Sequence, residues 1–507
     1  MTDPDTSLNA GRRHRELQAL HDDPQVDVLV VGAGVTGAGA ALDAASRGLS
    51  VALVDRDDLA FGTSRWSSKL VHGGLRYLAN GQFAIAHESA RERDILMRRT
   101  APHLVRALPM LVPVHAGTGF ARVAATRVGT AMGDVLRVAA GTGTDTLPHS
   151  RSIGRERTRR LVPGVSQDGL YGGIVSFDGQ LTDDARLVLA LARTAAGHGA
   201  RVITRCAAER LDGGSATLRD RLTGESLELR AGAVINATGV YAGDLVPDVR
   251  LRPSRGTHIV LPSEALGNPA AALTIPVPGS INRFVFALPQ PDGRVFAGLT
   301  DEPVEGPVPE VPEPPETDVA FLLDVVNSAL ATRLTRADVL GAYAGLRPLL
   351  DTGSGNSADV SRRHAILTSP DGTITAVGGK LTTYRRMARE AVDAAVSNSR
   401  LLAGPSRTAT LPLVGATGPR GLAAVRAPRR LVERYGTEAT AVLAQADGDP
   451  EALTGLARGI TPAELRFAVR HEGALDTDDL LERRTRLGLV ASDRQAALAA
   501  AEEALGH

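Results

Sequence analysis

Short apolar runs rich in β-branched residues alternate along the chain with longer Ala-rich stretches of helical period, the pattern of an α/β fold. Residues 27–31 read as an apolar strand, 36–47 as a helix and 51–55 as a second strand. Together they form one βαβ unit of about 30 residues. Residues 233–237 and 373–377 read as further short strands, each running into a glycine-containing turn. The first 25 residues read as a polar lead-in. The segment 303–317 carries six prolines among acids and reads as a surface loop. Beyond a composition shift at 402–412, residues 405–507 are rich in Ala, Arg and Glu and are predicted to form an α-helical C-terminal domain.

A length of 507 residues exceeds one ordinary core and predicts two or three domains. Lys plus Arg equals Asp plus Glu at 57 each, so no basic excess is available to coat a nucleic acid. The single cysteine, Cys206, excludes an intrachain disulfide and sits in a run that suits core packing. No window approaches the roughly 20 apolar residues of a membrane span, so any membrane contact is peripheral. No metal-ligating cluster is read.

Gly32-Ala33-Gly34-Val35-Thr36-Gly37 matches G-x-G-x-x-G between a strand and a helix. Gly32 suits the tight turn, Gly34 leaves room for a pyrophosphate and Gly37 lets helix and sheet approach. Free N–H groups at the helix start attract the phosphate charge. Asp55 ends the next strand, where a carboxylate accepts ribose hydroxyl bonds and disfavours NADP. This establishes a dinucleotide, with FAD and NAD both open.

The following segment is dense in hydroxyls and glycines. Thr63, Ser64, Ser67 and Ser68 are candidate donors to a flavin or its phosphates, and Gly73-Gly74 lets backbone lie against a flat ring. Gly378-Gly379-Lys380 joins a strand to a helix whose start would stabilise negative charge on a reduced flavin.

Here the chain resembles the FAD-dependent, aerobic, quinone-linked glycerol-3-phosphate dehydrogenases. The resemblance rests on Ser67-Ser68-Lys69-Leu70-Val71-His72-Gly73-Gly74-Leu75-Arg76-Tyr77-Leu78, on Asn236-Ala237-Thr238-Gly239, and on Gly256-Thr257-His258-Ile259-Val260. It continues through Gly345-Leu346-Arg347-Pro348-Leu349 and Gly378-Gly379-Lys380-Leu381-Thr382-Thr383-Tyr384-Arg385, with weaker similarity at Leu481-Glu482-Arg483-Arg484-Thr485. It implies an α/β protein with a Rossmann-like FAD-binding domain (26–90, 165–250 and 340–400), a β-rich substrate-binding cap (91–164 and 251–339) and the helical C-terminal domain. Lys69, His72, Thr238, Gly239, Gly379, Lys380, Leu381 and Thr382 join the expected cofactor set.

The implied reaction is hydride transfer from C2 of glycerol 3-phosphate to flavin N5, giving dihydroxyacetone phosphate. Binding a phosphate dianion calls for Arg forks and Lys point charges. The resemblance supplies Arg76, Arg347, Arg362 and Lys380, with Tyr77 and Thr300 as neutral donors. Arg347 is counted among the catalytic residues too. His258 is the candidate base for the C2 hydroxyl proton, against its alternative as a hydrogen-bonded structural histidine. Val240-Tyr241, Leu299, Phe61-Gly62 and Arg65-Trp66 depart from the family pattern around the cofactor.

Quinone as acceptor implies a cytoplasmic protein that touches the inner face of the cell membrane. A rough amphipathic helix over 119–138, with Phe120, Val123, Val128, Val135 and Leu136 among Arg122, Arg127 and Arg137, is the candidate contact. A homodimer is expected, helical end domains often serving dimer contacts. The rival readings are glycerol-3-phosphate oxidase, an FAD amine or amino-acid oxidase using oxygen, and a flavin-binding regulator without turnover.

Overall fold

The computed structural model describes residues 4–74, 82–280, 283–351 and 364–506. Among the described residues two sheets carry the fold. The first has eight strands, and its centre runs Ile374–Val377, Ser226–Asn236, Gln25–Val31, Val51–Val54 and Arg201–Ile203, all parallel to their neighbours. Parallel strands buried on both faces need apolar residues at every position, which is why Val28, Leu29 and Val30 are all fully buried.

The helix Val35–Ser46 packs on this sheet beside Asp184–Gly197 and Tyr384–Ser399. It is Ala- and Gly-rich because all but one of its residues are buried. Gly39 lets it approach Tyr384–Ser399 closely: a Cβ there would lie 3.0 Å from the Tyr384 ring. On the opposite face, Leu17 and Leu20 pack with Leu29, Val54 and Cys206. Those two leucines belong to the helix Ala10–Asp22, capped by the Asn9 side chain accepting from Arg12 N. The polar lead-in of the sequence reading is therefore corrected to a packed helix.

The second sheet has ten strands, with Val105–His115 and Leu170–Leu181 paired along their length and Ser254–Pro262 between Arg294–Gly298 and Gly341–Arg347. The short strand Leu70–Val71 also belongs to it, as do Leu170–Leu181 and Gly341–Arg347. All three come from segments that the sequence reading gave to the cofactor half. The chain thus passes between the two sheets where the site lies.

Helices dominate from Pro419 to Gly506. This C-terminal part is fastened to the cofactor half by buried charges. The Asp58 carboxylate, wholly buried, accepts from Arg483 Nε at 2.6 Å and from Arg484 Nη1 at 2.6 Å and Nη2 at 2.9 Å. Arg186 pairs with Glu472, and Arg193 with Glu438 at 2.6 Å.

Candidate active site

The strand Gln25–Val31 ends in Gly32, whose φ of +98° is open to glycine and strained for other residues. A Cβ there would also lie 2.7 Å from the Ala237 carbonyl oxygen. At Gly37 a Cβ would overlap the Gly32 carbonyl oxygen, so this glycine sets the helix–strand approach and does not itself face the cavity. Gly34 precedes the first helical turn, and a Cβ on it would come within 3.0 Å of Ser64 Oγ. That hydroxyl accepts from Val35 N at 2.9 Å and caps the helix. Asp55 holds the glycine turn through Ala33 N at 2.6 Å and its own loop through Asp57 N at 2.8 Å. Burial pushes its carboxyl up to about 6, against the pull of these two amides.

From this turn a cavity of about 2060 Å³ runs between the sheets, well above the roughly 300–1,000 Å³ of common small-ligand pockets. Gly32, Gly34, Asp55, Ser64, Thr238 and Gly239 line its beginning. Gly73, Gly74, Gly379, Lys380, Leu381 and Thr382 line it further on, with Arg347. A space of this volume, opened by side-chain-free glycines at a helix start, fits FAD. Gly74 and Gly379 have φ of +83° and +73°, and a Cβ at Gly379 would overlap Met387 Sδ. Lys380 Nζ donates to Ser89 Oγ at 3.2 Å, and His72 N donates to Thr382 Oγ1 at 3.1 Å.

Several expected contacts are spent elsewhere. Thr63 and Ser67 reach the wall, but Thr63 Oγ1 donates to the Leu346 carbonyl at 2.7 Å and Ser67 Oγ to Asp184 Oδ2 at 2.7 Å. Lys69 is off the wall altogether. Its φ of +58° turns the side chain into the protein, where Nζ donates to Asp184 Oδ2 and the Arg65 carbonyl, each at 2.9 Å. Burial brings this ammonium down to about 8. Thr300 is also off the wall, accepting from Thr257 N at 2.9 Å. Arg76, Tyr77 and Arg362 lie outside the described residues.

His258 is fully buried and does not face the cavity. Nε2 sits 2.9 Å from Ser68 Oγ, which does, while Nδ1 has no hydrogen-bond partner. Its ring stacks on Tyr343 at 4.8 Å in space left by Gly298. Burial, with Lys69 and Arg347 nearby, takes it down to about 3, so the imidazole is neutral. His72 does line the cavity, and its Nδ1 lies 3.2 Å from Asp178 Oδ2. Asp178 Oδ1 accepts from Gly73 N at 3.0 Å and Arg93 Nη1 at 2.6 Å. Burial opposes this carboxylate's charge, but Arg93 and His72 hold it down at about 2. No sequence motif marks Asp178 or Arg93; the one signal for the first is a lone acid within the strand Leu170–Leu181.

Arg347 faces the cavity with Nη1 donating to Asp301 Oδ1 at 3.0 Å and Nη2 to the Thr300 carbonyl at 3.0 Å. Gly256 makes room for it, since a Cβ there would overlap Nη2. Trp66, one of the departures from the family pattern, stacks on Tyr343 at 5.6 Å and packs on Gly345, which anchors its loop. Among the described residues no cluster of His, Cys, Asp and Glu is placed to hold a metal.

A family profile described as "FAD dependent oxidoreductase" matches residues 27–385. Glycerol-3-phosphate dehydrogenase 1 of Mycobacterium tuberculosis (strain ATCC 25618 / H37Rv) is 54% identical, over 99% of this chain and 99% of its own length. The chain belongs to the FAD-dependent glycerol-3-phosphate dehydrogenase family. The mitochondrial glycerol-3-phosphate dehydrogenase of Mus musculus is 35% identical across 97% of this chain and 71% of that protein. The Bacillus halodurans glycerol-3-phosphate dehydrogenase complexed with FAD superposes with a TM-score of 0.75 at 27% identity, covering 98% of this chain and 94% of that one. A second profile, "C-terminal domain of alpha-glycerophosphate oxidase", matches residues 406–506, the helical part of this glycerol-3-phosphate dehydrogenase family member.

Proposed function

We propose that this chain oxidises sn-glycerol 3-phosphate to dihydroxyacetone phosphate and passes the electrons to a quinone-type acceptor. The observation that carries the reading is that one cavity joins the glycine turn at Gly32 and Gly34 to Arg347, Lys380 and the His72–Asp178 pair. Bound FAD supplies the acceptor for the hydride leaving C2.

Arg347 and Lys380 hold the substrate phosphate from the wall, and Arg76, Tyr77 and Arg362 belong to the same set. Thr300 acts behind Arg347 through its carbonyl oxygen. His72 takes the C2 hydroxyl proton at Nε2, with Asp178 fixing the ring through Nδ1. His258 acts through the Ser68 hydroxyl and positions it.

Anaerobic addition of glycerol 3-phosphate to the purified yellow protein is expected to bleach the flavin absorbance, while amino acids leave it unchanged. Loss of bleaching with every polyol phosphate overturns the reading. Arg347→Ala is expected to raise KM chiefly, with flavin retained; an unchanged KM removes Arg347 from the phosphate site.

The match of residues 406–506 to an oxidase C-terminal domain favours a second reading, glycerol-3-phosphate oxidase. Stoichiometric peroxide with oxygen as acceptor separates the two. The membrane face of the quinone reading is the helix Phe120–Ala139, where Phe120 is 87% exposed and Val128, Val135 and Val138 are also exposed. Among the described residues no helix is long and apolar enough to cross a membrane. Co-sedimentation with anionic vesicles, weakened by Phe120→Ser, tests that face. A homodimer belongs to the same reading and is checked by light scattering.

A further inference from the structure

Between the C-terminal part and the Ser67–Lys69 turn lies a second cavity, of about 60 Å³, distinct from the flavin cavity. Arg294, Arg430, Arg434, Arg458, Arg486 and Lys69 contribute to its wall. Most of these cations are paired. Arg294 is matched by Asp292, Arg458 by Asp493 and Lys69 by Asp184. Arg430 and Arg434 share the one buried carboxylate of Glu464, at 2.5 and 3.8 Å.

Arg486 is the exception. It is 3% exposed, and Nη1 donates to the Glu482 carbonyl oxygen at 3.2 Å. Neither its Nε nor its Nη2 has a hydrogen-bond partner, and Arg434 Nε has none either. A guanidinium does not give up its proton in a protein, so burial leaves charged donors that call for an acceptor. Two of the three acids in the wall are held by other cations. Asp292 is taken by Arg294, and Glu433 is paired with Arg429 at 2.6 Å. Asp183 accepts from Ala185 N at 2.9 Å, and Arg486 is the foremost cation favouring its charge against burial, but the two form no close ion pair and Asp183 takes no hydrogen bond from Arg486 Nε or Nη2.

We propose that this cavity binds a compact oxyanion, the phosphoryl group of inorganic phosphate or of a small phosphate ester, on Arg486 Nε and Nη2 with Arg434 beside it. The fork of a guanidinium matches two oxygens of such a group. The space is several times the roughly 10–15 Å³ that one water needs. Occupation satisfies the Arg486 Nε and Nη2 donors and ties the C-terminal part to the turn whose Ser67 and Ser68 face the flavin cavity. Trp66, on the wall of that cavity, has its ring 5.0 Å from the Arg486 guanidinium.

The test follows thermal unfolding of the FAD-loaded enzyme against inorganic phosphate at constant ionic strength. The unaltered chain, Arg347→Ala and Arg486→Gln are compared. Phosphate is expected to raise the Tm of the first two, with the apparent affinity about tenfold or more weaker in Arg486→Gln. A shift that disappears in Arg347→Ala and survives in Arg486→Gln belongs to the substrate cavity and overturns the proposal. So does the absence of any shift in Arg347→Ala. Repeating the series with phenyl phosphate separates the sources: stabilisation of Arg347→Ala by both assigns the site to phosphate esters as well, and by inorganic phosphate alone to the free ion. Should Arg486→Gln not fold, tungstate soaked into crystals of the unaltered enzyme is expected to give an anomalous peak beside Arg486 and Arg434. Peaks elsewhere only overturn the site.

Discussion

Ser68 Oγ stands 2.9 Å from His258 Nε2, with the hydroxyl on the cavity wall and the imidazole buried behind it. Because Nδ1 already lacks a partner, the Ser68 hydroxyl is what satisfies this ring. Ser68→Ala is therefore expected to cost about 1–3 kcal/mol of stability in urea unfolding. Ser68→Thr, which keeps the hydroxyl, is expected to restore most of it. A silent Ser68→Ala would show that the contact carries no energy.

The same ring sets a pH dependence. Its folded value of about 3 lies below the ordinary 6.5, so the unfolded chain binds the extra proton across that window. Stability from this group is fully present above about 6.5 and is lost as pH falls toward 3, by at most about 1.4 kcal/mol per pH unit. His258→Gln is expected to flatten the pH–stability curve between those limits. Parallel curves for the two proteins would remove His258 as the cause.

At the glycine turn, Gly37→Ala forces a methyl onto the Gly32 carbonyl oxygen. The helix must then leave the strand or the turn must open, and either spoils the phosphate cradle. The expected product is a folded or partly folded protein without flavin colour. A yellow Gly37→Ala protein with unaltered flavin content would show that the turn tolerates the shift.

Lys69→Met removes the ammonium from Asp184, both side chains being buried. Leaving the carboxylate uncompensated is expected to cost about 3–5 kcal/mol. Flavin binding is expected to survive in the molecules that fold, because Lys69 does not line the cavity. Flavin loss without a drop in Tm would instead put Lys69 on the cofactor.

The cofactor turn was legible because its signals are local: three glycines, a helix and Asp55 within one βαβ unit. The helix Ala10–Asp22 was not legible, because its many polar residues mask the period that puts Arg13, Leu17 and Leu20 on one face. Nor was the orientation of His258. Its strand is buried at nearly every position, so alternation cannot tell which face a side chain takes. Lys69 misled for a related reason: nearness to cofactor residues along the chain says nothing of a backbone with φ of +58° that turns the side chain away. The Asp178–His72–Arg93 group is joined across more than 80 positions and depends on strand pairing that no local pattern encodes.

Asp58 lies three positions after Asp55, at the end of the very unit that receives the dinucleotide, and its countercharges come from Arg483 and Arg484. Releasing the last hundred residues would strand a carboxylate in a pocket shaped for two guanidinium groups. Excising that tail therefore amounts to damaging the nucleotide fold itself. Heat should melt the two regions together in one calorimetric event, as a single cooperative unit.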